Sequence, residues 1–307
     1  MRALLVVNPK ATATTRRTRD VLIRALASDL KVDVAETSRR GHAHDLAHQA
    51  VRDGLDLVIA LGGDGTVNEV VNGLLSSGPE PSLPALAVVP AGSANVFART
   101  LGLPPSPVEA TGLILDALRT ESRRSVGLGR ADERWFTFCA GFGLDAEVVR
   151  VVERRRRAGR RATGALYVRS AVSHFFGAAD RREPAITFES PDQPAQAGLY
   201  LGIVANTDPW TYLGNRPVRP TPEASFDSGL DLFAPRRLRT ATALRLVAQM
   251  FNGRPPDSPR SLFYLHDVPR FTLRADRPLA LQVDGDYLGE RETVTFTAVP
   301  DALRVVV

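Results

Sequence analysis

The apolar run Leu55–Leu61 ends directly in three glycines and an aspartate within four positions, Gly62-Gly63-Asp64-Gly65. An amphipathic segment, TVNEVVNGLLSS over 66–77, follows at once. A strand, a bare turn and a helix start in that order form an anion site. The first N–H groups of the helix lack intrahelical partners, and the helix dipole favours negative charge there. Glycine lets the backbone approach such an anion closely and adopt positive φ. Asp64 is out of place against bare phosphate; it makes sense where a divalent cation, or a hydroxyl to be deprotonated, lies between. A tight turn without a ligand is the alternative. It suits a lone Gly-Gly better than Gly62–Thr66, where Thr66 stands at the expected helix cap. The loop is not a Walker A loop or a protein-kinase motif, since both need a lysine and only Lys10 and Lys31 occur, out of context. Nor does it read GxGxxG.

The surrounding 120 residues alternate regularly. Strands are predicted over 2–8, 31–37, 55–61 and 83–90, and helices over 18–28, 43–53, 66–77, 93–102 and 106–120. Such alternation predicts a parallel sheet with helices on both faces. Ligands of these sheets bind beyond the carboxyl ends of the strands, where the glycine loop lies. After residue 122 the pattern changes to short strands with Pro and Gly turns, broken by two helical stretches near 144–177 and 240–252. The expected fold is therefore α/β plus β. An α/β domain over 1–122 precedes a β-sandwich-like domain over 123–307, whose last strands possibly return to the first domain.

The chain of 307 residues is 44% hydrophobic and 24% charged, enough for two packed domains. One cysteine, Cys139, excludes an internal disulfide and fits a cytoplasmic setting. No apolar run approaches the ~20 residues of a membrane span, and MRALLVVNPKA reads as a first strand rather than a signal peptide. The net charge of +5 suits anionic partners without selecting one.

Several further stretches combine with the loop. VNPKA (7–11), VVPAGSANVFARTLGLP (88–104), FCAGFGLDAEVV (138–149) and VDGDYLG (283–289), with LGGDGTVNEVVNGL (61–74), resemble the motifs of the diacylglycerol kinase catalytic-domain family, which includes sphingosine and ceramide kinases. The resemblance is greatest to soluble bacterial lipid kinases. It implies an α/β nucleotide-binding domain like those of NAD kinases and phosphofructokinases, followed by a β-sandwich. It implies ATP with Mg2+ as donor and a lipid hydroxyl as acceptor. Carried over position by position, it assigns ATP contacts to Asn8, Thr37, Gly62, Gly63, Asp64, Gly65, Thr66, Asn68, Glu69 and Ser93. Asp286 occupies the place of the family's general base, with Asp284 beside it, and Asp64 is a second candidate for that role. Asp227, with the carbonyls of Ala224 and Gly229, resembles the ligand set of a structural Mg2+. The chain departs from the family in four places: the usual glycine downstream of VNPKA is absent, Asp286 stands for a glutamate, Ser228 follows Asp227 where glycine is usual, and Val96 replaces an aspartate of the second glycine motif.

The chemistry would be positioning and charge neutralisation of a phosphoryl group, with Asp286 accepting the hydroxyl proton. The arginine-rich run 148–161, with Arg154–Arg161 at its centre, suits anionic lipid headgroups, each cation contributing ~1 kcal/mol at a charged surface. A solvated helix end is the alternative. Peripheral membrane association and possibly a homodimer complete the partner expectations. No nucleic acid is expected, because few aromatics interleave the basic run. A kinase with a soluble acceptor and a non-catalytic nucleotide- or lipid-binding regulator stay open. His44 and His48 resemble a zincin pair but read as the polar face of an amphipathic helix, without a third ligand. Trp210, Tyr212 and Leu213 sit in a Pro-rich stretch that suits either a lipid entrance or the core. Ser93 is not a nucleophile elbow, as GxSxG is absent.

Overall fold

A computed structural model describes residues 1–12, 15–144, 146–147, 149–150, 184–254 and 260–307. Most of the predicted helical stretch 144–177 and the whole of Arg154–Arg161 lie outside the described residues. The chain divides into two compact units, Met1–Val126 with Asp301–Val307, and Gly127–Pro300.

The first unit is built on parallel strands β1 (Arg2–Val7), β2 (Lys31–Glu36), β3 (Leu57–Gly62) and β4 (Ala85–Pro90), in the order β2-β1-β3-β4. The end of the final strand, through Val305, pairs in parallel with Leu86. β3 and β4 are buried at every position, as a sheet covered on both faces demands. Leu5, Ile59 and Ala87 share a core with Leu22 and Leu26 of α1 (Arg16–Ala27) and Ile114 of α5 (Pro107–Arg119). By strand alternation Val6, Val58 and Val88 face the other side, and all are 2% exposed or less. Against β1 and β3 lie α2 (His42–Arg52) and α3 (Asp64–Leu74), which also pack on each other.

Three helix boundaries differ from the expectations. α3 begins at Asp64, so its cap is Gly63 rather than Thr66. The helix expected over 93–102 is only α4 (Val96–Thr100), because Asn95 adopts φ 49 and turns the chain. Thr15 and Ser106 cap α1 and α5, accepting bonds from Thr18 and Glu109 N–H. His44 and His48 stack on the outer side of α2, and His48 Nδ1 lies 2.7 Å from Ser76 Oγ.

The second unit is antiparallel. Its strands are β5 (Arg123–Ala131), which starts in the first unit, β6 (Arg134–Phe136), β7 (Cys139–Gly143), β8 (Ile186–Ser190), β9 (Gln193–Leu199), β10 (Leu201–Ala205), β11 (Thr211–Leu213), β12 (Arg216–Val218), β13 (Leu230–Pro235), β14 (Leu262–Val268), β15 (Arg270–Val283) and β16 (Asp286–Val306). β15 shifts register between Arg274 and Leu279; its first part pairs with β8 and its second with β7. One layer thus runs β14-β13-β10-β7, and β8 and β9 belong to another. Phe188 of β8 meets Phe263 of β14 with ring centroids 5.0 Å apart, so the layers close over a shared core that includes Phe142, Phe271 and Phe296. This is the expected strand-rich, two-layered domain. The stretch around Trp210 forms the hairpin β11–β12 instead of an open loop, and Trp210 packs against Ile203, Phe233, Leu246 and Leu262. Leu246 belongs to α6 (Thr240–Gln249), three residues shorter than expected. No described helix is long and apolar enough to cross a membrane.

Gly73 is the contact point of α2 and α3. A Cβ there would lie 2.3 Å from the backbone oxygen of His44 and 2.9 Å from Ala47 Cβ. Backbone cannot move aside as a side-chain tip can. Gly73→Ala should therefore cost about 1–3 kcal/mol, despite alanine's better helix propensity, measured as a lower urea midpoint with unchanged slope.

Candidate functional site

The carboxyl ends of the four parallel strands bring most of the predicted nucleotide residues into one row. Thr37 follows β2 and donates its N–H to Val7 O at 2.8 Å. Asn8 follows β1; its N–H reaches Leu61 O at 2.9 Å and its Nδ2 donates to Thr66 Oγ1 at 2.9 Å. Gly62 ends β3, and its carbonyl accepts from Ala91 N–H, just beyond β4, at 2.8 Å. Ser93 follows and is exposed. This is the edge where parallel α/β sheets bind ligands.

The glycines have a packing reason as well as the chemical one. A Cβ on Gly62 would sit 2.6 Å from Thr66 Oγ1. A Cβ on Gly92 would sit 2.6 Å from Gly63 Cα, so the loops after β3 and β4 touch through bare backbone. Asn95 fixes the second loop: its Oδ1 accepts from Gly92 N–H at 2.8 Å and its Nδ2 donates to Gly92 O at 3.0 Å. Sequence reasoning missed Asn95. Its signal was an asparagine directly ahead of a short helix, three residues after a glycine.

Asp64 lies in the first turn of α3, half-buried, beside Gly65. Its Oδ1 accepts from Phe97 N–H at 3.3 Å, so it also holds the start of α4. Val96, in place of the family's aspartate, is 1% exposed and apolar in that same start. Two predicted contacts point elsewhere. Asn68 is 0% exposed, and its carbonyl and side-chain oxygens accept from Asn72 Nδ2 at 2.8 and 3.2 Å. Glu69 spans the start of α2, accepting from Gly41 N–H at 2.8 Å and Ala43 N–H at 3.2 Å. These two side chains position the loop and the helix around it.

In the second unit, Asp284 and Gly285 form the two central residues of a tight hairpin, with φ 48 and 81, and Val283 pairs with Asp286. Asp-Gly in that position is the strongest short hairpin signal. Asp284 is 4% exposed. Its Oδ2 accepts from Thr137 N–H at 2.7 Å and Thr137 Oγ1 at 2.9 Å, and its Oδ1 from Phe138 and Cys139 N–H at 3.0 and 3.1 Å. It therefore ties the entry to β7 to the hairpin. Asp286, the first residue of β16, is half-buried at the hairpin's exit.

The expected structural-ion residues lie in one turn. Asp227 is exposed, and the Ser228 hydroxyl lies 3.1 Å from Ser225 O and 3.3 Å from Gly229 O, with one hydrogen to donate to either. Ala224 O accepts from Asp208 N–H at 3.1 Å. Among the described residues no group of three or more His, Cys, Asp or Glu side chains is placed to hold a metal.

Comparison with known proteins agrees with this geometry. Residues 2–130 match the diacylglycerol kinase catalytic domain. The chain is 36% identical over 129 residues to a diacylglycerol kinase of Staphylococcus haemolyticus, covering 42% of this chain and 37% of that protein. It is 39% identical over 144 residues to a probable lipid kinase, YegS-like, of Chromohalobacter salexigens, covering 47% and 44%. The chain thus spans less than half the length of these curated relatives in the stretches that match. A crystal structure described as a diacylglycerol kinase from Bacillus anthracis str. Sterne shares the fold, with a TM-score of 0.73 at 21% identity over 99% of this chain and 96% of that one. Residues 2–130, which hold the strand-end row and the Gly62–Thr66 turn, are thus similar to the diacylglycerol kinase catalytic domain.

Proposed function

We propose that the chain is an ATP-dependent lipid kinase that transfers the γ-phosphoryl group to the hydroxyl of a lipid such as diacylglycerol. The observation that carries this reading is the row of strand ends with Asn8, Thr37, Gly62–Thr66 and Ser93 beside the start of α3. The backbone of that turn and the positive end of the α3 dipole favour a polyphosphate. Asn8 holds the Thr66 hydroxyl, and the Gly63–Gly92 contact keeps the two loops together. Mg2+ bound with ATP would neutralise phosphate charge, and Asp64 is the carboxylate in the turn suited to face it.

For the acceptor, Asp286 of the motif VDGDYLG is the proposed base, half-buried at the hairpin exit, while buried Asp284 accepts four bonds from Thr137, Phe138 and Cys139. Asp286 would take the proton of the attacking hydroxyl. Peripheral contact with a membrane, through Arg154–Arg161, belongs to this proposal and follows from the apolar substrate.

The test is phosphoryl transfer from ATP and Mg2+ to diacylglycerol, a sphingoid base, ceramide and a glycolipid in mixed micelles. Asp286→Asn should lower kcat by about 10²–10⁴ with an unchanged melting temperature, whereas Asp284→Asn should cost about 2–4 kcal/mol of stability. Transfer that survives in Asp286→Asn would move the base role to Asp64. Transfer to NAD but to no lipid would reject the lipid kinase reading.

Glu69 gives a second expectation. Glu69→Gln keeps one acceptor for the two α2 amides instead of a charged pair, at a cost of about 1 kcal/mol. If α2 helps to shape the nucleotide site, the ATP Kd from calorimetry should rise by about fivefold. An unchanged Kd would limit Glu69 to a folding role.

A further inference from the structure

Outside the kinase motifs, the second unit holds a buried group of oxygen atoms that its hydrogen bonds do not account for. Thr207, Thr221 and Asp231 are 0% exposed. Thr207 Oγ1, Asp208 Oδ1, Thr221 Oγ1 and Asp231 Oδ2 are buried without a hydrogen-bond partner among the described residues. Buried polar atoms are nearly always paired, so two carboxylate and two hydroxyl oxygens in one neighbourhood need an explanation.

The backbone places them near one another. Asp231 on β13 pairs with Ala205 at the end of β10, two residues before Thr207. Asp208 N–H donates to Ala224 O at 3.1 Å, and Ala224 N–H donates to Thr221 O at 3.2 Å. The negative charges also meet here. Asp208, Glu223 and Asp231 all act on the Tyr264 hydroxyl, which donates to Glu223 Oε2 at 3.2 Å. Facing them are Arg219, whose Nε lies 3.4 Å from Asp208 Oδ2, and His266, whose Nδ1 lies 2.8 Å from Asp231 Oδ1. Asp231 Oδ1 also accepts from Asp267 N–H at 3.1 Å, so that oxygen is satisfied while Oδ2 is not.

We propose that Thr207, Asp208, Thr221 and Asp231 bind a hard divalent cation, Mg2+ or Ca2+. Two carboxylate and two hydroxyl oxygens, with no thiol or free imidazole among them, are the donor chemistry of those ions, and waters would complete the shell. A single water could accept from the two hydroxyls and donate to the two carboxylates, so water is the occupant that the test sets against a cation. The site is separate from the Asp227 turn, where the Ser228 hydroxyl has one hydrogen to donate.

The test uses the full chain after chelator treatment and needs no lipid or nucleotide, so its outcome is independent of the kinase assay. Tb3+ is titrated while its luminescence is excited through Trp210 and Tyr264, and Mg2+ and Ca2+ compete in separate arms. Melting is followed with each ion. The wild type should bind Tb3+, release it to one of the two ions, and melt several degrees higher in that ion. Asp208→Asn should weaken binding at least about tenfold and remove the melting shift, while Asp227→Ala should leave both intact. If Asp208→Asn fails to fold, Thr221→Val serves in its place and should weaken binding severalfold. Absence of both luminescence and melting shift in the wild type would overturn the proposal and assign the oxygens to water. Binding lost in Asp227→Ala but kept in Asp208→Asn would overturn it equally.

Discussion

The contact between Gly63 and Gly92 is the constraint on which the rest of the first unit's site depends. Two loops leave neighbouring parallel strands at the same height, and each gives up its Cβ so that they can touch. Because they touch, Asp64 reaches the N–H of Phe97 in the next element, and Asn95 can close its own loop back onto Gly92. The starts of α3 and α4 are thereby held together at the carboxyl ends of β3 and β4. Glycine in this motif therefore serves twice: it admits a ligand, and it lets the protein's own backbone pack. The second use requires no ligand, and a sequence pattern cannot separate the two.

The layout of the first unit was readable because its signals are redundant. Apolar runs such as Leu57–Leu61 and Ala85–Val89 are buried on both faces, and each is followed by a helix with its own periodicity. What failed were the ends. Thr66 looks like a cap, yet the helix begins two residues earlier, because a glycine can cap without a side-chain bond and Thr66 is engaged by Asn8. The helix through 93–102 was read too long because the left-handed Asn95 cannot be seen in composition. In the second unit the strands were legible, but not that β15 and β16 serve both layers; that depends on a register shift between Arg274 and Leu279 that no local pattern announces.

The carboxylates show the same limit more sharply. Glu69, Asp284 and Asp286 all stand in motifs that resemble catalytic sequences, and a motif identifies their type without their partners. The structure separates them by their donors. Glu69 accepts two amides of α2. Asp284 accepts four bonds from Thr137, Phe138 and Cys139, and so belongs to the architecture. It also sits in the left-handed conformation that the hairpin turn requires, which accounts for Asp-Gly there without any chemistry. Asp286 comes one residue after the turn, opposite Val283 and half-buried.

The same accounting explains why a departure from a family pattern need not remove a capacity. At the Asp227 turn, serine in place of glycine brings a hydroxyl within reach of the carbonyls of Ser225 and Gly229, to one of which it can donate. A few residues away, the pairing of Ala205 with Asp231 buries one carboxylate and the bond from Asp208 to Ala224 draws in another, and neither receives enough donors. Charge of one sign has been concentrated around two largely buried carboxylates faced by Arg219 and His266. A fold tolerates such a concentration when something from solution neutralises it, because an unpaired buried carboxylate otherwise either takes up a proton or destabilises the native state.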